Sequence, residues 1–255
     1  MSFNFTSAFT IYRAELLRFL RTAFGSLVSP VLTTCLYFIV FGAAIGGRMN
    51  EVGGVPYGAF IVPGLLLLTM LSESTSNASF GIYMPRFTGS IYELLSAPVG
   101  VAETLAGYVG AAVTKSLILA AIILLTATLF VDYHIVHPVA AFFFIVLVAS
   151  AFSLLGFILG LWADGFEKLQ MVPLLLLTPL TFLGGTFYSI DMLAEPWRTA
   201  ALFNPIVYLV SGLRWTFYGV SDVSITIATG LTLAFLAVCV IVIATIFKTG
   251  WRLRE

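Results

Sequence analysis

Thr199-Ala-Ala-Leu-Phe-Asn-Pro-Ile-Val-Tyr-Leu-Val-Ser-Gly-Leu213 carries no charge, yet it is only 15 residues long and Asn204-Pro205 interrupts it. A helix needs about 20 predominantly apolar residues to cross the hydrocarbon core of a bilayer. Proline lacks a backbone donor and clashes with the preceding turn, so a helix running through Pro205 is strained near its centre. Whether this run crosses the membrane sets the number of spans at six or seven, and with it the fold.

Outward from that run, charge-free stretches mark the spans. Thr22 to Gly47 lies uncharged between Arg21 and Arg48 and gives a span near 26–46. Val52 to Ser72, extended through Glu73, gives a second near 58–81. After Arg86, Glu93 and Glu103, a region interrupted only by Lys115 gives a third near 105–131. The fourth falls near 138–162, the fifth near 169–190 after Glu167 and Lys168, and the sixth near 223–247, stopping at Lys248. Six spans put both termini on one side, together with Arg13, Arg18, Arg21, Arg86, Lys168, Lys248, Arg252 and Arg254; only Arg48, Arg198 and Arg214 lie opposite. That excess obeys the positive-inside rule, whereas a seventh span would move the basic tail outside. Residues 191–222 are therefore expected to form a non-spanning, re-entrant hairpin on the outer side. Such backbone is tolerated at membrane depth where protein or a water-filled cavity surrounds it.

Composition agrees. Hydrophobic residues make up 60% of the 255 and charged residues 9%, against roughly 45–50% and 25% in soluble domains. The mean hydropathy is +1.06. The expected fold class is an all-α integral membrane protein: six transmembrane helices, an amphipathic N-terminal interfacial helix and the outer hairpin, in one transmembrane domain over 1–255. Twelve basic residues balance twelve acidic ones, so no basic field exists to attract nucleic acid. Cys35 and Cys239 sit in apolar runs and read as buried thiols. The run after Arg21 is far longer than a signal-peptide core, so the first span is expected to remain as an anchor.

Two segments outside the spans carry amphipathic patterns. Over 5–21, Phe5, Phe9, Tyr12, Leu16, Phe19 and Leu20 share one face while Arg18 and Arg21 point away and Arg13 lies at the margin. A helix of this kind lies in the interface with its arginines toward anionic headgroups. It serves either as an anchor or as a lever feeding the first span. Between spans two and three, Pro85 and Pro98 bracket Phe87, Ile91, Leu94 and Leu95 at i, i+4, i+7 and i+8. The predicted helix over 86–97 either packs back on the spans or inserts into a groove of a partner.

Gly42-Ala-Ala-Ile-Gly46 and Gly156-Phe-Ile-Leu-Gly160 have the spacing that lets membrane helices approach closely. Glu73 and Lys115 are ionisable groups within spans two and three, open either to mutual pairing or to snorkelling of the lysine. His134 and His137 lack a further clustered ligand and make a poor metal site. No H-E-x-x-H, G-x-S-x-G or C-x-x-C pattern occurs, and Gly42 to Arg48 has the glycines of a phosphate loop without its Lys-Ser/Thr. The chain is thus not expected to be an enzyme or to split ATP itself.

Four blocks, in order along the chain, resemble ABC-2 type transporter permeases of the YadH and NodJ branch. They are Phe60-Ile-Val-Pro-Gly-Leu65, Glu93-Leu-Leu-Ser-Ala-Pro98, Thr178-Pro-Leu-Thr-Phe-Leu-Gly-Gly-Thr-Phe-Tyr-Ser189, and Phe203-Asn-Pro-Ile-Val-Tyr-Leu-Val-Ser-Gly-Leu-Arg-Trp215 with Gly219-Val-Ser-Asp222. The resemblance implies a six-span half-transporter of the cytoplasmic (inner) membrane, both termini cytoplasmic, that homodimerises and pairs with separate ATP-binding subunits. ATP and Mg would sit on those partners, and this chain would need no cofactor. It implies a coupling helix at about 86–97, with Arg86, Phe87, Ile91, Glu93, Leu94 and Leu95 toward the ATPase. It also implies an interfacial helix carrying Arg13, Arg18 and Arg21. The outer hairpin would gate the exit path with Tyr188, Asn204, Pro205, Tyr208, Arg214 and Trp215. The cargo implied is a drug, lipid or glycan moved outward. Tyr188, Trp197, Tyr208, Trp215 and Tyr218 either line that path or form an interfacial aromatic belt. An ion-coupled secondary transporter is the alternative, with Glu73 as its single candidate carboxylate.

Overall fold

The computed structural model describes residues 3–43, 51–97 and 99–250, apart from the side chains of Ala43, Leu94 and Leu95. Gly46, Arg48, Pro98, Arg252 and Arg254 lie outside these residues, as do the side chains of the proposed coupling residues Leu94 and Leu95. Among the described residues six helices are long and apolar enough to cross a membrane, and the protein is an all-α membrane bundle. α1 (Phe5–Tyr37) opens at Asn4, whose side chain accepts the Ser7 N–H at 3.2 Å, and continues as a wider π-helical turn over Phe38–Ala43. A two-residue hairpin, β1 (Glu51–Val52) and β2 (Val55–Pro56), reverses the chain at Gly53 and Gly54. Their φ angles of 59° and 79° favour glycine on steric grounds. Then follow α2 (Tyr57–Phe60), α3 (Val62–Thr88), α4 (Ile91–Ser96), α5 (Val101–Ala127) and α6 (Pro138–Trp162). α7 (Phe166–Val172) runs through a π-helical segment at Pro173–Leu177 into α8 (Thr178–Leu183), forming a single span. α9 (Trp197–Leu202) and α10 (Pro205–Tyr218) make the hairpin, and α11 (Ile225–Thr249) is the last span.

α3 is the axis of the bundle. Its N-terminal half is buried on every side, from Val62 and Leu65 through Leu66, Leu67, Met70 and Leu71, as its uniformly apolar sequence requires. α6 reaches it through Gly156 and Gly160: a Cβ on either would collide with the backbone of Thr75 or Ser79 on α3. The sequence motif is therefore the seam of the closest helix pair. Removing side chains lets the two backbones gain dispersion contact where no hydrophobic effect drives helices together in lipid. Around this centre, α1, the α7–α8 rod and α11 expose Phe24, Leu32 and Leu36, Leu174, Leu175 and Leu176, and Val238 and Ile241. They form the apolar rim that hydrocarbon requires.

The structure differs from the sequence reading in three places. The interfacial helix over 5–21 and the first span are one helix without a break, about 57 Å long at 1.5 Å per residue from Phe5 to Gly42. Its first half lies along α5: the Asn4 N–H donates to Glu103 Oε1 at 2.9 Å, Ile11 packs on Gly107, and the Tyr12 hydroxyl meets that of Thr114 at 3.1 Å. Tyr12 and Phe19 face the bundle, whereas Phe5, Phe9 and Leu20 of the same predicted face remain exposed. Second, Pro85, Arg86 and Phe87 belong to the end of α3, and the helix of the loop is only α4. Gly89, at φ 78°, ends α3 and turns the chain; Pro85 acts within a helix rather than as its first residue. Third, the fifth span closes at Leu183 rather than near 190, because Gly184 and Gly185 turn the chain, the latter at φ 83°.

Candidate functional site

Three polar groupings stand out in a molecule with so few charges, one at each end of the bundle and one inside it. At the end where α1 begins and α11 finishes, α4 leans against the mouth of α6. Arg86 reaches across from the last turn of α3 and donates through Nη1 to the carbonyl oxygens of Gly160 (2.8 Å) and Leu161 (2.6 Å). The terminal carbonyls of a helix have no internal donors and carry the negative end of its dipole, so a guanidinium is the favoured cap. This residue ties the α3–α4 corner to α6 instead of projecting outward. Ile91 is buried behind it. Phe87 is 63% exposed and stands edge-on to Phe166 of α7 at 5.2 Å, while Tyr92 and Glu93 are also exposed. The surface is thus an aromatic step of Phe87, Tyr92 and Phe166 with Glu93 at its edge.

At the opposite end α10 is almost wholly buried, although at 14 residues, about 21 Å, it is too short to cross. Asn204 opens it: its Oδ1 accepts the Ile206 N–H at 3.0 Å, and its Nδ2 donates to the Leu180 carbonyl of α8 at 2.6 Å. The dipeptide that interrupts the apolar run is therefore the cap that makes a second helix begin. Arg214 is 1% exposed. It donates to Asp222 Oδ2 at 2.8 Å and to the Gly185 carbonyl at 2.7 Å, and its guanidinium lies 3.8 Å over the Phe60 ring. Ser189 donates to the other Asp222 oxygen at 2.5 Å. Burial pulls the Arg214 pKa down to about 10, against the opposing pull of Asp222; it stays charged at neutral pH. Gly64 allows the Thr186 backbone to touch α3, and the Tyr218 hydroxyl donates to Ala59 at 2.6 Å. Strand-like bonds from Val136 to Phe217 and from His137 to Thr216, both 2.9 Å, fasten α10 to the start of α6. The hairpin is locked to spans two, four and five at once.

The aromatic residues of this end divide. The Tyr188 and Tyr208 hydroxyls bond the Leu183 and Leu202 carbonyls at 3.0 Å each. Trp215 stacks on His137 at 4.5 Å, and His134 stands edge-on to Tyr218. Trp197 and Phe203 remain exposed, and with Leu180, Leu183 and Tyr188 they border an apolar cavity of about 560 Å³.

Inside the bundle Glu73 and Lys115 neither pair directly nor does the lysine snorkel. Lys115 is buried and donates to the Asn77 carbonyl oxygen, and Asn77 Nδ2 donates to Glu73 Oε2 at 3.3 Å. Asn77, i+4 from Glu73 on α3, was the residue that sequence reasoning missed; its spacing was the available signal. Arg18 pairs with Glu15 at 2.5 Å beside Gly81 of α3, and like Arg13 and Arg21 it remains exposed.

The model for the ABC-2 type transporter family matches residues 6–218. The inner membrane transport permease YadH of Escherichia coli strain K12 is 36% identical over 246 residues, 96% of each chain. Nodulation protein J of Rhizobium leguminosarum bv. trifolii is 23% identical over 96% of this chain and 92% of its own, and that of Neorhizobium galegae 24% over the same shares.

Proposed function

The chain belongs to the ABC-2 type transporter family as a multi-pass inner-membrane transport subunit, and from that premise we propose that it is the transmembrane half of an ATP-driven exporter. Two copies assemble with two separate ATP-binding subunits on the cytoplasmic side, where both termini lie. The observation that carries this reading is the aromatic step of Phe87 and Tyr92, held at the corner between the end of α3 and the short α4, where Arg86 grips the end of α6. Closure of the nucleotide-binding partners on ATP pulls that step, and the Arg86 bonds pass the movement to spans two and four together. The outer hairpin, latched by Arg214 and Asp222, is then the element that opens the exit. ATP and Mg reside on the partners.

A homodimer is supported by the polar cleft of about 210 Å³ that Ser29, Thr33, Ser72, Glu73 and Thr178 line between α1, α3 and α8. Hydroxyls and a carboxylate facing hydrocarbon would cost several kcal/mol, and a second copy across this face removes that cost. The apolar cavity beside Trp197 and Phe203 supports a hydrophobic or amphiphilic cargo.

Affinity capture of the tagged protein from its native membrane, with mass spectrometry of what accompanies it, tests the reading. An ATP-binding subunit should appear in one-to-one ratio and be lost in the Phe87→Asp, Tyr92→Asp variant. Capture of the permease alone across several mild detergents would sink it.

A further inference from the structure

A partly open cavity of about 370 Å³ lies between α1, α3 and α5, in the half of the bundle where α1 begins. One wall is polar and carries Arg18, Glu15, Asn77 and Lys115; the other is apolar, with Phe19 and Phe80. Of the charged groups in this lining, Arg18 and Glu15 pair with each other at 2.5 Å. Glu73 lines the separate cleft toward α8 and is linked to Lys115 through Asn77. Lys115 has three N–H donors, of which one goes to the neutral Asn77, and the Phe19 ring, a cation-attracting surface, lies 5.0 Å from its ammonium. The cavity therefore holds an ammonium with unused donors among the described residues, and its lining is amphiphilic. A buried lysine within a span is costly and marks a pathway or binding site by default.

We propose that this cavity binds the phosphate of an anionic amphiphile from the adjoining leaflet. The phosphate takes the free donors of Lys115 and the guanidinium of Arg18, and the first carbons of the tail lie against Phe19 and Phe80. Charge-assisted hydrogen bonds to phosphate fix the head, and the exposed apolar flank of α1, with Leu20 and Phe24, lies open to the chains of a lipid. The assignment stands independently of how transport is driven, because it needs only the bundle and the bilayer.

Native mass spectrometry of the detergent-purified protein, titrated separately with phosphatidylglycerol, phosphatidylcholine and glycerol 3-phosphate, tests it. The protein should retain a first phosphatidylglycerol at least tenfold more tightly than phosphatidylcholine. Lys115→Gln should lose about tenfold of that affinity, whereas Lys248→Gln, at the far end of α11, should keep it. If Lys115→Gln fails to give a monodisperse protein, the Arg18→Gln, Glu15→Gln pair decides, since the Arg18 side chain is 42% exposed and tolerates change. Equal retention of the two lipids overturns the proposal, as does an unchanged preference in the variants. Displacement by glycerol 3-phosphate at the affinity of the lipid overturns the lipid assignment in favour of free phosphate.

Discussion

Replacing Arg214 with Met should be among the most damaging single changes in the protein, and pairing it with Asp222→Leu should undo most of the damage. The side chain is fully enclosed, and its partner Asp222 is only 11% exposed. Met keeps the length and apolar stem but deletes the charge, leaving the Asp222 carboxylate facing Ser189 alone and the Gly185 carbonyl without its donor. Breaking a buried ion pair from one side costs about 3–5 kcal/mol. For a chain of this size each kcal/mol moves the unfolding midpoint by about 2–4 °C, so the single variant should lose ~6–20 °C. The pair as a whole is another matter. The Arg214 pKa of about 10 lies below the ordinary value, so burial opposes the charge more than Asp222 supports it. Because the folded value is depressed for a base, that penalty is fully present at neutral pH. Removing both charges therefore removes a cost together with a gain, and the double variant should return to within about 5 °C of the parent. Thermal scanning of the four purified proteins of this cycle, followed by tryptophan fluorescence and by retention of a monodisperse peak, gives the numbers. Additive losses in the double variant, or a shift under 2 °C for Arg214→Met, would refute the claim that this network is a coupled latch.

Other parts of the bundle make independent predictions. Gly156→Ala should cost about 1–3 kcal/mol, because the new methyl meets the Thr75 backbone and not a movable side chain; Gly25→Ala, which meets nothing, should be neutral in the same melt. Arg86→Ala should leave the fold intact but cut ATP turnover of the assembled transporter several-fold, since the α6 carbonyls lose their cap; Arg86→Lys should restore part of it. Glu73→Gln keeps the hydrogen bond to Asn77 possible through its carbonyl oxygen, so ATP-driven transport should change less than threefold, whereas ion-driven transport would be abolished.

The six spans were legible because lipid demands long apolar runs, and because the arginine and lysine distribution resolves the one ambiguous run. Asn204-Pro205 read correctly as a break for the same physical reason that it caps α10. The GxxxG of α6 gave the packing seam but not its partner, which depends on where Thr75 and Ser79 fall on α3. The misplaced edges lie where an alternative local rule applied. Pro85 fits a helix start by position, yet the positive φ of Gly89 sets the boundary. Residues 5–21 have the moment of an interfacial helix, yet Gly107 offers α5 as a surface for Ile11. The polar relay was least visible: Glu73 and Lys115 are 42 residues apart on two helices, and only packing reveals Asn77 between them. Arg214 and Asp222 show the converse, being eight residues apart yet joined only because the chain reverses at Gly219.

The most direct test of the account is ATP turnover by the purified assembly of this chain with its accompanying ATP-binding subunit in lipid nanodiscs, with native or Phe87→Asp, Tyr92→Asp permease. A transporter half driven through its α4 corner predicts clear turnover with the native chain and at least a tenfold fall with the variant at equal subunit content. Turnover indifferent to the variant, or a purified permease that moves its cargo on an ion gradient with no ATP-binding partner, would contradict it.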